Sequence, residues 1–365
     1  MENSIRDVQQ LGQSIWYDNI RLGLISSGEL KNILDLGVTG LTSNPTIFQK
    51  AVSESNDYDE LFKELVKKNK MAQEIYEILT LEDIQLAADL LKPSFDQSHG
   101  ADGYASLEVN PHLANNTDGT IKEAKRLFSL LDRPNVMVKV PATPAGIPAI
   151  RALIGKGINV NVTLTFSLDI YSDVRKAYID GLEDLKKDGG NIKSVSSVAS
   201  FFISRVDTLI DDALEDNHPD LMGKAAIANA KLAYRDFNND FTSDKFLRLS
   251  QHGARVQRPL WASTSTKNPQ YSDVLYPESL IGRDTVNTMP ESTLLAFNEH
   301  GKVSESLGSN IDDATQLFVE LQEAGIYMKD VTSELLAQGL KLFVDSYDSL
   351  ISDIEHKRKL LELRI

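Results

Sequence analysis

Extended and helical segments alternate along almost the whole chain, and that alternation restricts the fold more than any composition figure does. The strand candidates read SIWYD, GVTGLTSN, YASLEVN, NVMVKVP, INVNVTL, SVSSVAS, RPLWAS and LIGRDTVNT. About eight strands with helices between them is the number that closes a β/α barrel. The expected class is therefore α/β, a (β/α)8 TIM barrel with extra helices; an open doubly wound sheet is the competitor that periodicity alone leaves standing. DYDELFKELVKKNKMAQEIYEIL carries apolar residues at three- and four-residue spacing, as a helix requires. TLEDIQLAADLL opens with Thr80 and Asp83 in a capping-box-like arrangement. Thr143 and Pro144 read as an N-cap and first-turn proline of a helix ending at GKG. After Ser309 the pattern is helical almost throughout. With no composition break to mark a linker, residues 1–365 are expected to form a single domain, the helices from about 309 packing on it. KPSFDQSHGADG, NPHLANNTDGT and TSTKNPQYSDVLYPES are the loops richest in turn residues; the last two follow strands, where barrel enzymes keep their working loops.

The strands carry a second pattern. In a barrel one face packs on the helices and should be aliphatic, while polar residues on the inner face near the strand ends are candidates for chemistry. Val136, Val138 and Val140 share one face, so Lys139 lies on the other. Leu107 and Val109 likewise oppose Ser106, Glu108 and Asn110; Val160, Val162 and Leu164 oppose Asn161 and Thr163. A lone lysine on one strand reads as a solvated edge residue. Three strands repeating the arrangement favour an amine set among a carboxyl and hydrogen-bonding groups, as Schiff-base chemistry requires. Such an amine must be neutral to attack a carbonyl, which takes its pKa well below the ~10.4 of a free lysine. The architectural alternative for Glu108 is a buried ion pair with Lys139, since buried charges are usually paired.

Composition removes other classes. A formal net charge of -15 argues against nucleic acid or an anionic membrane as partner, while leaving room for a small anion in a local positive pocket. With no cysteine, there are no disulfides, thiolate nucleophiles or cysteine-ligated metals. The six histidines lie far apart without ligand spacing, and the P-loop, HExxH and GxSxG motifs are absent. MENSIRDVQQ has neither a basic nor an apolar leader region, and no apolar run approaches the roughly 20 residues of a membrane helix, so a cytoplasmic protein is expected.

LTSNPTIF, SLEVN, VMVKVPAT, NVNVTLTFS, SVASFFISRVD and LWASTSTKNP occur in the order and spacing of the transaldolase family. The chain resembles that family from about Ile5 to the last helices, and its length and WAST form are similar to the longer bacterial branch. The resemblance implies a class I aldolase barrel with no cofactor and no metal. Such an enzyme moves a dihydroxyacetone unit from a ketose phosphate to an aldose phosphate in the pentose phosphate pathway, and a homodimer is within its range. By the same resemblance Lys139 is the Schiff-base lysine, and Asp18 moves a proton around C–C cleavage. Glu108 works with a water that Thr163 holds; Asn44 and Asn161 bind ketose hydroxyls; Ser200, Phe202 and Arg205 belong to the phosphate end. Two carboxylates near an amine that must lose its proton pull in opposite directions, so Asp18 is expected farther from Lys139 than its hydrogen-bonding neighbours. The chain departs from the family after strand seven, where many members carry a phosphate-binding arginine. Lys267, displaced by an insertion, is the best match, with Ser263 or Ser265 beside it. Two alternatives stand beside the transferase: a fructose-6-phosphate aldolase-like lyase, whose relatives are shorter, and a catalytically silent barrel acting as a binding protein.

Overall fold

The computed structural model describes residues 3–362. Its strands are β1 Gln13–Tyr17, β2 Gly40–Leu41, β3 Ala105–Glu108, β4 Val136–Pro141, β5 Val160–Thr165, β6 Ser197–Phe202, β7 Arg258–Ala262 and β8 Thr285–Met289. They close into a barrel in chain order, and β1 pairs in parallel with β8 from Gln13 opposite Thr285 to Tyr17 opposite Met289. That pairing leaves no sheet edge and excludes the open doubly wound alternative. Each expected segment supplies one strand, with clearly shifted bounds in three, LIGRDTVNT yielding a strand only from Thr285 to Met289. GVTGLTSN contributes only Gly40–Leu41, because Asn44 already caps the next helix, Pro45–Glu54. SVSSVAS starts too early: Ile192–Ser194 is a 3-10 turn, and the strand runs from Ser197 to Phe202.

Register sets the site. Glu108 on β3 lies opposite Lys139 on β4, and Lys139 lies opposite Asn161 on β5. Between β5 and β6 the register shifts from Val162 to Thr165, where Leu164 takes a φ of 55°. A left-handed φ is costly for a non-glycine residue, and such bulges at barrel rims re-aim side chains. The valines of β4 are fully buried, as the aliphatic outer face requires.

Helix boundaries were less readable. The pattern from residue 57 to 79 is broken at Asn69, with φ 57°, into Asp59–Lys67 and Ala72–Gln97. The second helix is capped at Met71, whose N–H donates to the Glu74 carboxylate at 2.9 Å. Thr80 caps nothing. Its hydroxyl donates to the Tyr76 carbonyl at 2.9 Å inside a continuing helix, and Asp83 accepts from the Tyr58 hydroxyl at 2.5 Å. A capping sequence acts only where N–H groups are left free. The same helix continues through Pro93 into what reads as the loop KPSFDQSHGADG. Thr143 accepts from the Gly146 N–H at 2.9 Å, so it caps the helix Gly146–Ile154 although the helix begins after Pro144.

The tail forms two helices, Ile311–Glu323 and Met328–Glu362. The second crosses the rim at the carboxyl ends of the strands. Ser346 and Thr46 share a hydrogen bond of 2.8 Å, His112 and Asp348 one of 2.7 Å, and Gln49 donates to Ser349 at 3.2 Å. Gly339 lies against β5: a Cβ there would stand 2.9 Å from Leu164 Cδ2 and 3.6 Å from Arg205 Nη1. No helix among the described residues is long and apolar enough to cross a membrane.

Asp83 offers a test of the packing. Burial pushes its carboxyl up to about 7, outweighing the Tyr58 hydrogen bond. The native state therefore keeps a proton that the unfolded chain releases near 4, and stability falls as pH rises through about 7. Asp83→Asn removes that titration. Its stability relative to the parent should rise by up to about 4 kcal/mol between pH 4 and pH 8, at ~1.36 kcal/mol per unit, read from urea midpoints at each pH. An unchanged difference would show that Asp83 is ionised in the fold.

Candidate active site

Lys139 is 5 % exposed. Its Nζ donates to the Ser43 carbonyl at 2.7 Å and stands 3.4 Å from Glu108 Oε2. Strand register produces this: opposed residues of neighbouring parallel strands project to the same face, here the barrel interior. Burial pushes the Glu108 carboxyl up, while Lys139 pulls it down and Asp18 adds a smaller upward push. A carboxyl held high is a ready acceptor for a proton that the amine must lose.

Asp18 follows β1, where its N–H donates to the Met289 carbonyl at 2.8 Å. The Thr42 hydroxyl sits 2.6 Å from Asp18 Oδ1 and 2.7 Å from the Thr288 hydroxyl. Burial raises the Asp18 pKa more than Thr42 and Lys139 lower it. Asp18 makes no ion pair with Lys139, so the close polar contacts of the amine are Ser43 and Glu108. Glu108 Oε2 and Thr163 Oγ1 are buried without hydrogen-bond partners among the described residues. Glu108 Oε2, on β3, has the amine 3.4 Å away as its ion-pair partner, so of the two Thr163 Oγ1, on β5, is the uncommitted atom.

A cavity of about 350 Å³ opens at the carboxyl ends of the strands, walled by Asp18, Asn44, Lys139, Thr163, Ser200 and Phe202. Arg205, Ser263, Ser265 and Lys267 line the same cavity. Glu108 and Asn161 stand behind this wall. Asn161 is fully buried; its amide donates to Ser106 Oγ at 3.1 Å, and its carbonyl oxygen accepts from Ser200 Oγ at 2.7 Å. Asn44 spends its Oδ1 capping the Ile47 N–H at 3.0 Å, which leaves its NH2 for the cavity.

The cations collect at the more exposed part. Arg205 occupies the first turn of the helix Ser204–Leu214, its guanidinium 5.4 Å from the Phe202 ring centre. A helix amino end with a cation beside it suits an anion. Burial lowers the Arg205 pKa, and burial together with Arg205 lowers that of Lys267. Lys267 Nζ donates to Ser265 Oγ at 2.7 Å. Ser263 adopts a φ of 58° and shares a 2.9 Å hydrogen bond with the Ser204 hydroxyl. Both serines thus reach the cavity, Ser263 braced to the helix and Ser265 to the lysine.

Several wall residues escape sequence reasoning. Thr42 and the Ser43 carbonyl sit in the same LTSN stretch as Asn44, but a carbonyl leaves no trace in a residue pattern. Leu342 and Phe343 come from the last helix, and the Phe343 ring centre is 5.9 Å from Lys139 Nζ. Gly339, an isolated glycine inside a long helical pattern, was the one available sign of a close approach.

Removing Lys139 should strand Glu108. Lys139→Met deletes the charge that lowers the Glu108 pKa, so the native carboxyl holds its proton to still higher pH. Stability is then lost as pH rises through that range. The variant should fold, and its deficit against the parent should be about 1–3 kcal/mol larger at pH 8 than at pH 5, measured by urea unfolding. A deficit independent of pH would remove the coupling.

The sequence profile described as Transaldolase/Fructose-6-phosphate aldolase matches residues 15–354. Curated relatives include a protein named Transaldolase 2 from a Nostoc species, 43% identical over 98% of both chains. A Transaldolase from Thiobacillus denitrificans is 44% identical over 96% of this chain and 99% of its own. Another, from Trichodesmium erythraeum, is 42% identical over 98% of both.

Proposed function

The chain belongs to the transaldolase/fructose-6-phosphate aldolase family, and from that premise we propose that Lys139 forms the Schiff base through which it acts as a transaldolase. The observation carrying this is a buried amine and an anion-suited end, Arg205 with Lys267, in one cavity. The reaction transfers a dihydroxyacetone unit between sedoheptulose 7-phosphate and glyceraldehyde 3-phosphate, giving erythrose 4-phosphate and fructose 6-phosphate, as a cytoplasmic step of the pentose phosphate pathway. The full-length match to relatives named transaldolase disfavours the lyase that releases free dihydroxyacetone.

Lys139, its proton passed to Glu108, attacks the ketose C2 carbonyl. The carbinolamine loses its hydroxyl as water, with Glu108 supplying the proton and Thr163 holding the water, to leave an iminium. Asp18 takes the C4 hydroxyl proton as the C3–C4 bond breaks. The bonding electrons pass into an enamine on Lys139, and the aldose phosphate leaves. The raised Asp18 carboxyl then returns its proton as the acceptor aldehyde adds. Hydrolysis reverses the first steps. Asn44 donates to a substrate hydroxyl, and Asn161 acts by orienting Ser200. Arg205 and Lys267 hold the phosphate common to donors and acceptors.

Borohydride added with fructose 6-phosphate should inactivate the enzyme and place a dihydroxyacetone-derived adduct on the peptide containing Lys139. Lys139→Met should lose at least ~10³-fold in kcat. An adduct on another lysine, or near-normal turnover of the variant, would overturn the assignment. Arg205→Ala should raise KM for phosphorylated acceptors by about 10- to 100-fold, the worth of one charge-assisted hydrogen bond. Unphosphorylated glyceraldehyde should be little affected; equal losses for both acceptors would remove the phosphate role.

A further inference from the structure

Lys267 lines two cavities. One is the cavity of Lys139. The other, about 230 Å³ in volume, lies behind the loop after β7 and is walled by four carboxylate residues, Asp207, Asp211, Asp212 and Glu215. An ammonium on a flexible stem between a cavity with one carboxylate and a cavity with four should be drawn to the acidic side. Yet among the described residues Lys267 makes no ion pair there and donates to Ser265 instead.

Two of these carboxylates are already engaged. Asp207 and Asp211 are one turn apart on the helix Ser204–Leu214 that carries Arg205. Asp211 Oδ1 accepts the Gly223 N–H at 2.9 Å, and Oδ2 accepts the Tyr271 hydroxyl at 2.7 Å. Asp207 Oδ1 accepts the Ala226 N–H at 2.7 Å, and Oδ2 accepts the Tyr276 hydroxyl at 2.9 Å. Gly223, at φ 69°, is a close approach: a Cβ there would stand 2.8 Å from the Tyr271 ring. Tyr271 thus lies over Gly223 with its hydroxyl on Asp211, four residues along the chain from Lys267.

We propose that Tyr271 is a positioning residue that masks Asp211 and so keeps Lys267 directed at the substrate phosphate. The proposal rests on the reading of Lys267 as a phosphate ligand. Without the tyrosine hydroxyl, one oxygen of Asp211 is free to pair with the lysine and compete with the substrate. The chain uses a neutral hydroxyl for this because a cation in its place would repel Lys267 and Arg205.

The experiment compares kcat/KM for glyceraldehyde 3-phosphate with that for unphosphorylated glyceraldehyde, their ratio being the phosphate selectivity. Tyr271→Phe should lower the ratio by about 3- to 5-fold, the worth of one competing partly exposed ion pair, mainly through KM for the phosphorylated acceptor. Asp211→Asn alone should leave it unchanged. Tyr271→Phe with Asp211→Asn should restore it, because the competing charge is gone. A double variant no better than Tyr271→Phe would make the tyrosine a mere brace and overturn the inference, as would an unchanged ratio in Tyr271→Phe. Lys267→Ala separates the two levels. If it lowers the ratio while Tyr271→Phe does not, only the masking role fails; if it leaves the ratio unchanged, the phosphate reading of Lys267 fails and the inference with it.

Discussion

A lysine and a glutamate face each other inside a closed barrel, 3.4 Å apart on adjacent strands. Taking two charges out of water costs several kcal/mol per ion, and their attraction offsets that only where geometry and further hydrogen bonds are good. The barrel meets the condition. Parallel pairing sets Glu108 against Lys139, and the Ser43 carbonyl after β2 accepts a hydrogen bond from the amine at 2.7 Å. Around that pair the interior is polar but mostly satisfied, with Ser106, Asn161 and Ser200 bonded in sequence across β3, β5 and β6. Among the described residues, buried polar atoms without a hydrogen-bond partner include Thr163 Oγ1, Thr165 Oγ1 and Asn287 Nδ2. In a buried network uncommitted polar atoms are expensive, and the Thr163 hydroxyl belongs to the cavity wall that also holds Lys139.

The two ends of the cavity solve different problems. At the amine end, burial holds both carboxyls above their ordinary range, so each holds a proton more readily than a solvated carboxyl does. Their separation matters: Glu108 is in contact with the amine, while Asp18 is held by Thr42 on the opposite wall. At the cation end, an acidic chain of net charge -15 must attract an anion. Arg205 stacks on Phe202, and Lys267 leans on Ser265, each without a carboxylate partner among the described residues. The tyrosine contacts on Asp207 and Asp211 fit that scheme, because they engage two acidic residues of the second cavity that Lys267 also lines.

The last helix ties the rim together. Its contacts reach the helix after β2 through Ser346, the loop after β3 through Asp348, and β5 through Gly339, while Phe343 joins the wall beside Lys139. A substitution on this helix can therefore act on the site without touching substrate.

By itself the sequence determined the barrel, the inward lysine and most of the cavity wall. Period-two alternation reports which face a strand residue occupies, and eight such strands admit few closed architectures. Family motifs then placed Asp18, Asn44 and Arg205, which no local periodicity singles out. Helix boundaries were misread at Thr80 and Pro93, because a capping pattern is silent when the preceding turn continues. What only the tertiary structure decided is set by contacts between residues distant in the chain. These include the Ser43 carbonyl on Lys139, the retreat of Asn161 behind Ser200, the approach of Gly339 to Leu164, and Tyr271 on Asp211. Local patterns encode direction and burial; which groups share a hydrogen bond is fixed only once the barrel closes and the last helix lies across it.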